Sequence, residues 1–159
     1  MKTTDLSDQY GAELQILEPG FQDFGGKVEF SGPIATVEAP DDNSKVRELL
    51  EQPGQGRVLV VNGRASKRCA LLGDMLAELA VKNGWAGVVV NGYVRDTARL
   101  RELPLGVKAL GAFPRKSEKR GRGTMGEVLR FGGVEFIPGH MLYSDSDGIA
   151  LSVKALKLV

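Results

Sequence analysis

Two continuous apolar runs dominate the pattern along the chain. Arg57-Val58-Leu59-Val60-Val61-Asn62 and Trp85-Ala86-Gly87-Val88-Val89-Val90 show no polar alternation, the pattern of strands buried on both faces. Between them Leu72, Leu76, Leu79 and Ala80 recur at helical spacing within 71–83, and Gly84 stands where a C-cap belongs. The stretch 57–90 therefore predicts a strand–helix–strand unit, parallel and right-handed.

Shorter patterns fill in the rest. Thr4 to Gln15 reads as a polar helix capped by Asp5 or Ser7. Gly25-Gly26 opens an alternating run over 27–30, read as a strand, and 34–39 reads as a second one. A helix over 44–50 follows the turn Pro40-Asp41-Asp42-Asn43. Thr97 to Leu103 reads as helical and 104–111 as a short strand. Two β segments, 127–131 and 134–137, flank Gly132-Gly133 as a tight hairpin. Residues 143–148 read as a polar turn before a last strand, 149–153. The expectation is one α/β domain over 1–159, with a mixed sheet and few helices.

Composition narrows the function classes. Charged residues make up 26% of the chain and the net charge is +1, so no global field favours nucleic acid or an anionic membrane. No stretch reaches membrane-spanning length, and the N-terminus lacks an apolar leader core. With Cys69 alone there is no internal disulfide, and a reducing, cytoplasmic setting is expected. His140 is the sole histidine, which excludes a histidine metal cluster; it reads as a turn residue.

The chemistry concentrates after the two buried runs. Gly73-Asp74-Met75-Leu76 falls in the first turn of the predicted helix, where free backbone N–H groups favour an anion such as a carboxylate. Arg95 offers a bidentate clamp for the same group. Asp96 is a hard oxygen ligand suited to Mg²⁺ or Mn²⁺, and Asp74 is placed to accept hydrogen bonds from its waters. Spacing alone allows a plainer reading, with Asp74 a helix-start charge and Arg95-Asp96 a surface ion pair. Arg115, Lys116, Lys119, Arg120 and Arg122 form the one strong charge run, read as a solvated loop, or else as a contact for an anion, RNA or an acidic protein segment.

A wider resemblance covers nearly the whole chain. Residues 57–63, 70–77 and 83–92 resemble the family of regulator of ribonuclease activity A, which also holds the class II 4-hydroxy-4-methyl-2-oxoglutarate aldolases. Phe24-Gly25-Gly26, Phe30-Ser31-Gly32-Pro33-Ile34, Phe131-Gly132-Gly133-Val134 and 143–149 match as well. The resemblance implies a layered β/α/β sandwich similar to the phosphohistidine swivelling-domain fold, assembled as a homotrimer. Its aldolases carry an Asp, twenty intervening residues and Arg-Asp, the spacing of Asp74 and Arg95-Asp96. By that resemblance Asp96 binds a divalent metal. Arg95 and the backbone of Gly73, Asp74, Met75 and Leu76 hold a small 2-oxo acid, and Asp74 orders metal-bound water. The implied activity is a metal-dependent carbon–carbon lyase, an aldolase and oxaloacetate decarboxylase sharing a pyruvate enolate.

Two departures stand out. The chain stops soon after Ser152, where longer aldolases carry an extension that brings an acid to a neighbouring site. Arg64 also stands where glycine is more usual, close to the expected site, as an added anion contact or a narrower entrance. Older descriptions of the family as demethylmenaquinone methyltransferases find no Gly-x-Gly-x-Gly turn after an N-terminal strand here. The competing reading is a non-catalytic regulator that binds an endoribonuclease or an RNA helicase.

Overall fold

The computed structural model describes residues 1–159 and sets the two apolar runs side by side and parallel. In chain order the elements are α1 (Thr3–Tyr10), β1 (Gln15–Ile16), β2 (Gln22–Asp23), β3 (Phe30–Glu38), α2 (Ser44–Leu50), β4 (Val58–Asn62), β5 (Ala70–Leu72) and α3 (Asp74–Lys82). They continue with β6 (Gly87–Val94), α4 (Thr97–Leu100), β7 (Gly106–Ala112), β8 (Thr124–Met125), β9 (Leu129–Phe131), β10 (Val134–Phe136), β11 (Met141–Asp145) and β12 (Gly148–Ser152). A single 3₁₀ turn, Gly11–Glu13, follows α1.

The main sheet runs β1-β12-β11-β3-β4-β6-β7-β2. Its centre, β3-β4-β6-β7, is parallel and in chain order, with helices in the crossovers; the flanking pairs are antiparallel. Alternate residues of the central strands feed two apolar layers. Leu59, Val61, Val88 and Val90 pack with helical residues such as Leu50, Leu76 and Ala80. Val58, Val60 and Val89 pack on Phe136, Leu142 and Ile149, from the β9–β10 hairpin and the antiparallel flank. Both faces are covered, so neither run alternates.

The line of β4 does not end at Asn62. β4 pairs with β6 from Val58↔Gly87 to Asn62↔Asn91, and β5 then pairs with the end of β6 at Ala70↔Tyr93 and Leu72↔Val94. Residues 63–69 are thus an excursion from a nearly continuous strand line, and Gly73 and Arg95 leave the sheet at the same edge.

Several boundaries differ from the sequence reading. The first helix ends at Tyr10, where Gly11 turns to φ 49°. Residues 27–29 form no strand. A side chain on Gly25 would meet the Leu105 carbonyl oxygen at 2.0 Å, and one on Gly26 would meet that of Leu103 at 2.2 Å. That close approach bends the chain away, and Lys27, Val28 and Glu29 are exposed. The predicted helix over 71–83 divides into β5 and α3. The second apolar run begins its strand later and extends it to Val94. The predicted turn over 143–148 shrinks to Ser146-Asp147, because Tyr143, Ser144 and Asp145 pair in β11. The Gly132-Gly133 hairpin forms as read, both glycines at positive φ.

Candidate active site

α3 begins without a side-chain cap of its own, since its N-cap is Gly73. The first amide of the helix is satisfied from the neighbouring strand end instead: the Asp74 N–H donates to Asp96 Oδ2 at 3.0 Å. The charge-assisted bond places the Asp96 carboxylate at the positive end of the helix. Met75 and Leu76 follow, with amides that a first turn leaves free of intrahelical partners. The Leu76 side chain turns into the core, whereas that of Met75 is 71% exposed.

Arg95 and Asp96 owe their placement to the end of β6. The Arg95 N–H still bonds the Leu72 carbonyl at 2.9 Å, continuing the ladder one residue past Val94. Asp96 then takes a left-handed conformation at φ 60° and starts α4, which turns its carboxylate back toward Gly73. A non-glycine residue at that φ is uncommon, and Asp is among the side chains that tolerate it best. The Arg95 guanidinium makes no ion pair; its one hydrogen bond within the protein is a long one from Nη1 to the Pro114 carbonyl at 3.4 Å.

Gly73, Asp74, Met75, Leu76, Arg95 and Asp96 all line one cavity of about 250 Å³. They come together as the spacing suggested, although Arg95 and Asp96 do not pair with each other. The Asp74 carboxylate has no protein partner. Asp96 commits one oxygen to the helix amide, leaving the other open. These are hard oxygen donors with room for retained waters, a donor set that fits Mg²⁺ or Mn²⁺. Glu48 and Glu51 also line the cavity but pair with Lys45 and Arg47. No three acids cluster as metal ligands, so this chain alone would supply few ligands and a cation would rely on water and substrate.

Lys116, Ser117 and Lys119, from the charge run read as a solvated loop or else as a contact for an anion, RNA or an acidic protein segment, line the cavity with Asn43 and Ser44. Neither lysine is ion-paired. The only backbone ladder contacts of that segment are isolated bridges, Ala70↔Lys116 and Asp42↔Glu118, and no periodicity announces them. Arg64 lies outside the cavity lining. Its Nε bonds Glu38 Oε2 at 3.0 Å, and the residue takes φ 54°, so the extra cation is spent on a neighbouring carboxylate.

The Gly73 position is tightly bounded. A Cβ there would stand 2.7 Å from Asp96 Oδ2 and 3.3 Å from Arg95 Cγ. Its φ of −131° suits any residue, so Gly73→Ala should fold with a nearly unchanged melting temperature. Any ligand binding or chemistry that uses Asp96 and Arg95 together should weaken by about tenfold or more, because both side chains must shift. A folded variant in which such binding or chemistry is unchanged would contradict this geometry.

The family profile described as Aldolase/RraA matches residues 3–151. The chain belongs to the Aldolase/RraA family. This Aldolase/RraA member is 54% identical over 154 residues to a protein of Alkalilimnicola ehrlichii provisionally named a 4-hydroxy-4-methyl-2-oxoglutarate aldolase, covering 97% of this chain and 96% of that one. A counterpart in Laribacter hongkongensis with the same provisional name is 53% identical, covering 94% of each. The RNA-processing inhibitor RraA from Thermus thermophilis superposes with a TM-score of 0.95 at 47% identity, over 100% of this chain and 96% of its own. A Geobacillus kaustophilus structure described as an S-adenosylmethionine:2-dimethylmenaquinone methyltransferase gives 0.96 at 51% identity, over 98% and 97%.

Proposed function

We propose that this protein is a divalent-metal-dependent carbon–carbon lyase. It cleaves 4-hydroxy-4-methyl-2-oxoglutarate to two pyruvates and decarboxylates oxaloacetate, both through the pyruvate enolate. The observation that carries the reading is an arginine without a carboxylate partner, Arg95, sharing one cavity with the Asp96 carboxylate and the N-terminus of α3. A site that sets a free guanidinium and free backbone amides around a hard oxygen ligand suits an anionic 2-oxo acid.

The chain's own groups then have distinct tasks. The amides of Met75 and Leu76 bind the carboxylate next to the keto group. Arg95 donates to the keto oxygen as it becomes the enolate oxygen, so its contribution grows toward the transition state. Asp96 would hold the cation, which supplies Lewis-acid stabilisation of the same charge. Asp74 is the acceptor for the 4-hydroxyl proton, directly or through a water. As the C3–C4 bond breaks, its electrons form the enolate; in oxaloacetate the same bond releases CO₂. A proton returned to C3 completes pyruvate. The assembly proposed for the working enzyme is a homotrimer in the cytoplasm.

A coupled assay for pyruvate tests this reading. Release from either substrate should need Mg²⁺ or Mn²⁺, stop on chelation and recover on re-addition. Absence of turnover with every divalent metal tried would sink it. A second reading, a regulator that binds an endoribonuclease or RNA helicase, is favoured by the likeness to the RraA structure. Tight ribonuclease binding by a catalytically silent protein would support that alternative. The methyltransferase description gains no support from the first parallel crossover, Ala39-Pro40-Asp41-Asp42-Asn43, which contains no glycine.

A further inference from the structure

We infer that Asp42 is the positioning residue for the basic wall of this site. With the Ser44 hydroxyl, its carboxylate clasps the backbone of 120–122 and so holds Lys116, Ser117 and Lys119 at the cavity in the arrangement that substrate binding requires. The inference rests on the lyase reading of the cavity.

Asp42 is fully buried, at 0% exposure. One of its oxygens serves its own neighbourhood, accepting the Ser44 N–H at 2.9 Å and the Ser44 hydroxyl at 2.6 Å. Its other oxygen accepts the Arg120 N–H at 2.6 Å and the Arg122 N–H at 3.3 Å, from a segment far along the chain. The amide between them, Gly121 N–H, bonds Ser44 Oγ at 3.0 Å. Three successive amides of a segment with no regular structure thus find their acceptors on Asp42 and Ser44. A cap for a short helix would need only the first oxygen.

The same turn holds the stretch that lines the cavity. The Asn43 N–H donates to Ser117 Oγ at 3.1 Å, and the Glu118 N–H to the Asp41 carbonyl at 3.3 Å. On the far side, the Ala70 N–H takes the Arg115 carbonyl at 2.7 Å, immediately before β5 leads to Gly73. Five cations crowd this segment and repel one another. Glu118 pairs with Arg120 and Arg122 on its outside, and Asp42 is the buried anion beneath it. Burial pushes the Asp42 carboxyl up, but the Ser44 hydroxyl and amide, with the amides of Arg120 and Arg122, outweigh it and hold the group at about 2. Because that value is depressed, the stabilisation is complete at neutral pH and fades as pH falls from 3.8 toward 2.

The test uses the intact chain with Asp42→Ala, Asp42→Asn and the milder Ser44→Ala. Asparagine matches the shape, but its NH₂ must face N–H or O–H donors on one side, so it should fail nearly as badly as alanine. Three readouts separate the roles: the melting temperature, the initial rate of tryptic cleavage within 115–122 of the native protein, and kcat and KM for oxaloacetate. Both Asp42 variants should be cleaved about tenfold faster, because the segment opens locally. KM should rise about tenfold with kcat nearly kept, because the wall is displaced while Arg95 and Asp96 are not. Ser44→Ala should shift both in the same direction by less, and it decides the matter if the Asp42 variants do not fold. A lower melting temperature with unchanged cleavage and KM would mean a helix cap only and overturn the inference. A wild-type protein without turnover overturns it together with the lyase reading, whereas an active wild type with unresponsive variants overturns it alone.

Discussion

Asp96→Asn is expected to lower kcat/KM for oxaloacetate decarboxylation by about 10³-fold, or about 4 kcal/mol of transition-state stabilisation, with little loss of stability. Asparagine is the substitute that isolates the charge. It tolerates the left-handed backbone at φ 60°, and its carbonyl oxygen can still accept the Asp74 N–H. What it lacks is the anionic oxygen left over for a cation. Asp96→Ala removes the cap as well and puts a less tolerant residue at that φ, so it should also cost about 1 kcal/mol of stability. The difference between the two variants in thermal unfolding measures the structural part. Their shared loss of turnover, matched by loss of Mn²⁺ binding in a titration, measures the rest. An Asn variant with wild-type activity would remove Asp96 from the chemistry.

How much of this was legible in the sequence depends on how local each signal is. The parallel strands at 58–62 and 87–94 and the helix between them came through because unbroken apolar runs and helical spacing are local patterns. The meeting of Asp74 with Arg95-Asp96 followed from where those elements end. Three features did not come through, each for a physical reason. The short β5 looked like the start of α3, because Ala70-Leu71-Leu72 suits either state. The strand expected at 27–30 failed because the close backbone packing of Gly25 and Gly26 outweighs a brief alternation. The basic segment over 115–122 stayed open between a solvated loop and a contact for an anion, RNA or an acidic protein segment, since a buried acid about eighty residues away leaves no local trace. What the pattern of charges conceals most completely is a charge inside the core.

Lys108 is that charge, and Lys108→Met is expected to be strongly destabilising. Residues 104–111 read only as a short strand, whereas β7 belongs to the doubly covered centre of the sheet and Lys108 is 2% exposed. Its ammonium donates to the Asp145 carbonyl at 2.7 Å and to Asp23 Oδ2 at 3.1 Å. It thereby joins β7 to β2 and to the end of β11. Asp145 is itself the acceptor for the Thr3 amide and hydroxyl, each at 2.7 Å, so the contact reaches on to α1. Methionine nearly conserves the volume, and a packing defect is therefore not the issue. The loss leaves a carbonyl without its donor and a carboxylate already short of partners, since Asp23 Oδ1 is buried and unbonded. Removing one member of such a pair costs about 3–5 kcal/mol, which for a chain of this size lowers the melting temperature by roughly 10 °C. Neutralising the partner should reverse much of that cost: Lys108→Met with Asp23→Leu should melt well above Lys108→Met alone, because an apolar pair of similar volume no longer buries an unpaired charge. Equal melting temperatures for the single and double variants would show that Asp23 is not the energetic partner. A shift of less than about 2 °C in the single variant would show that water replaces the ammonium at little cost.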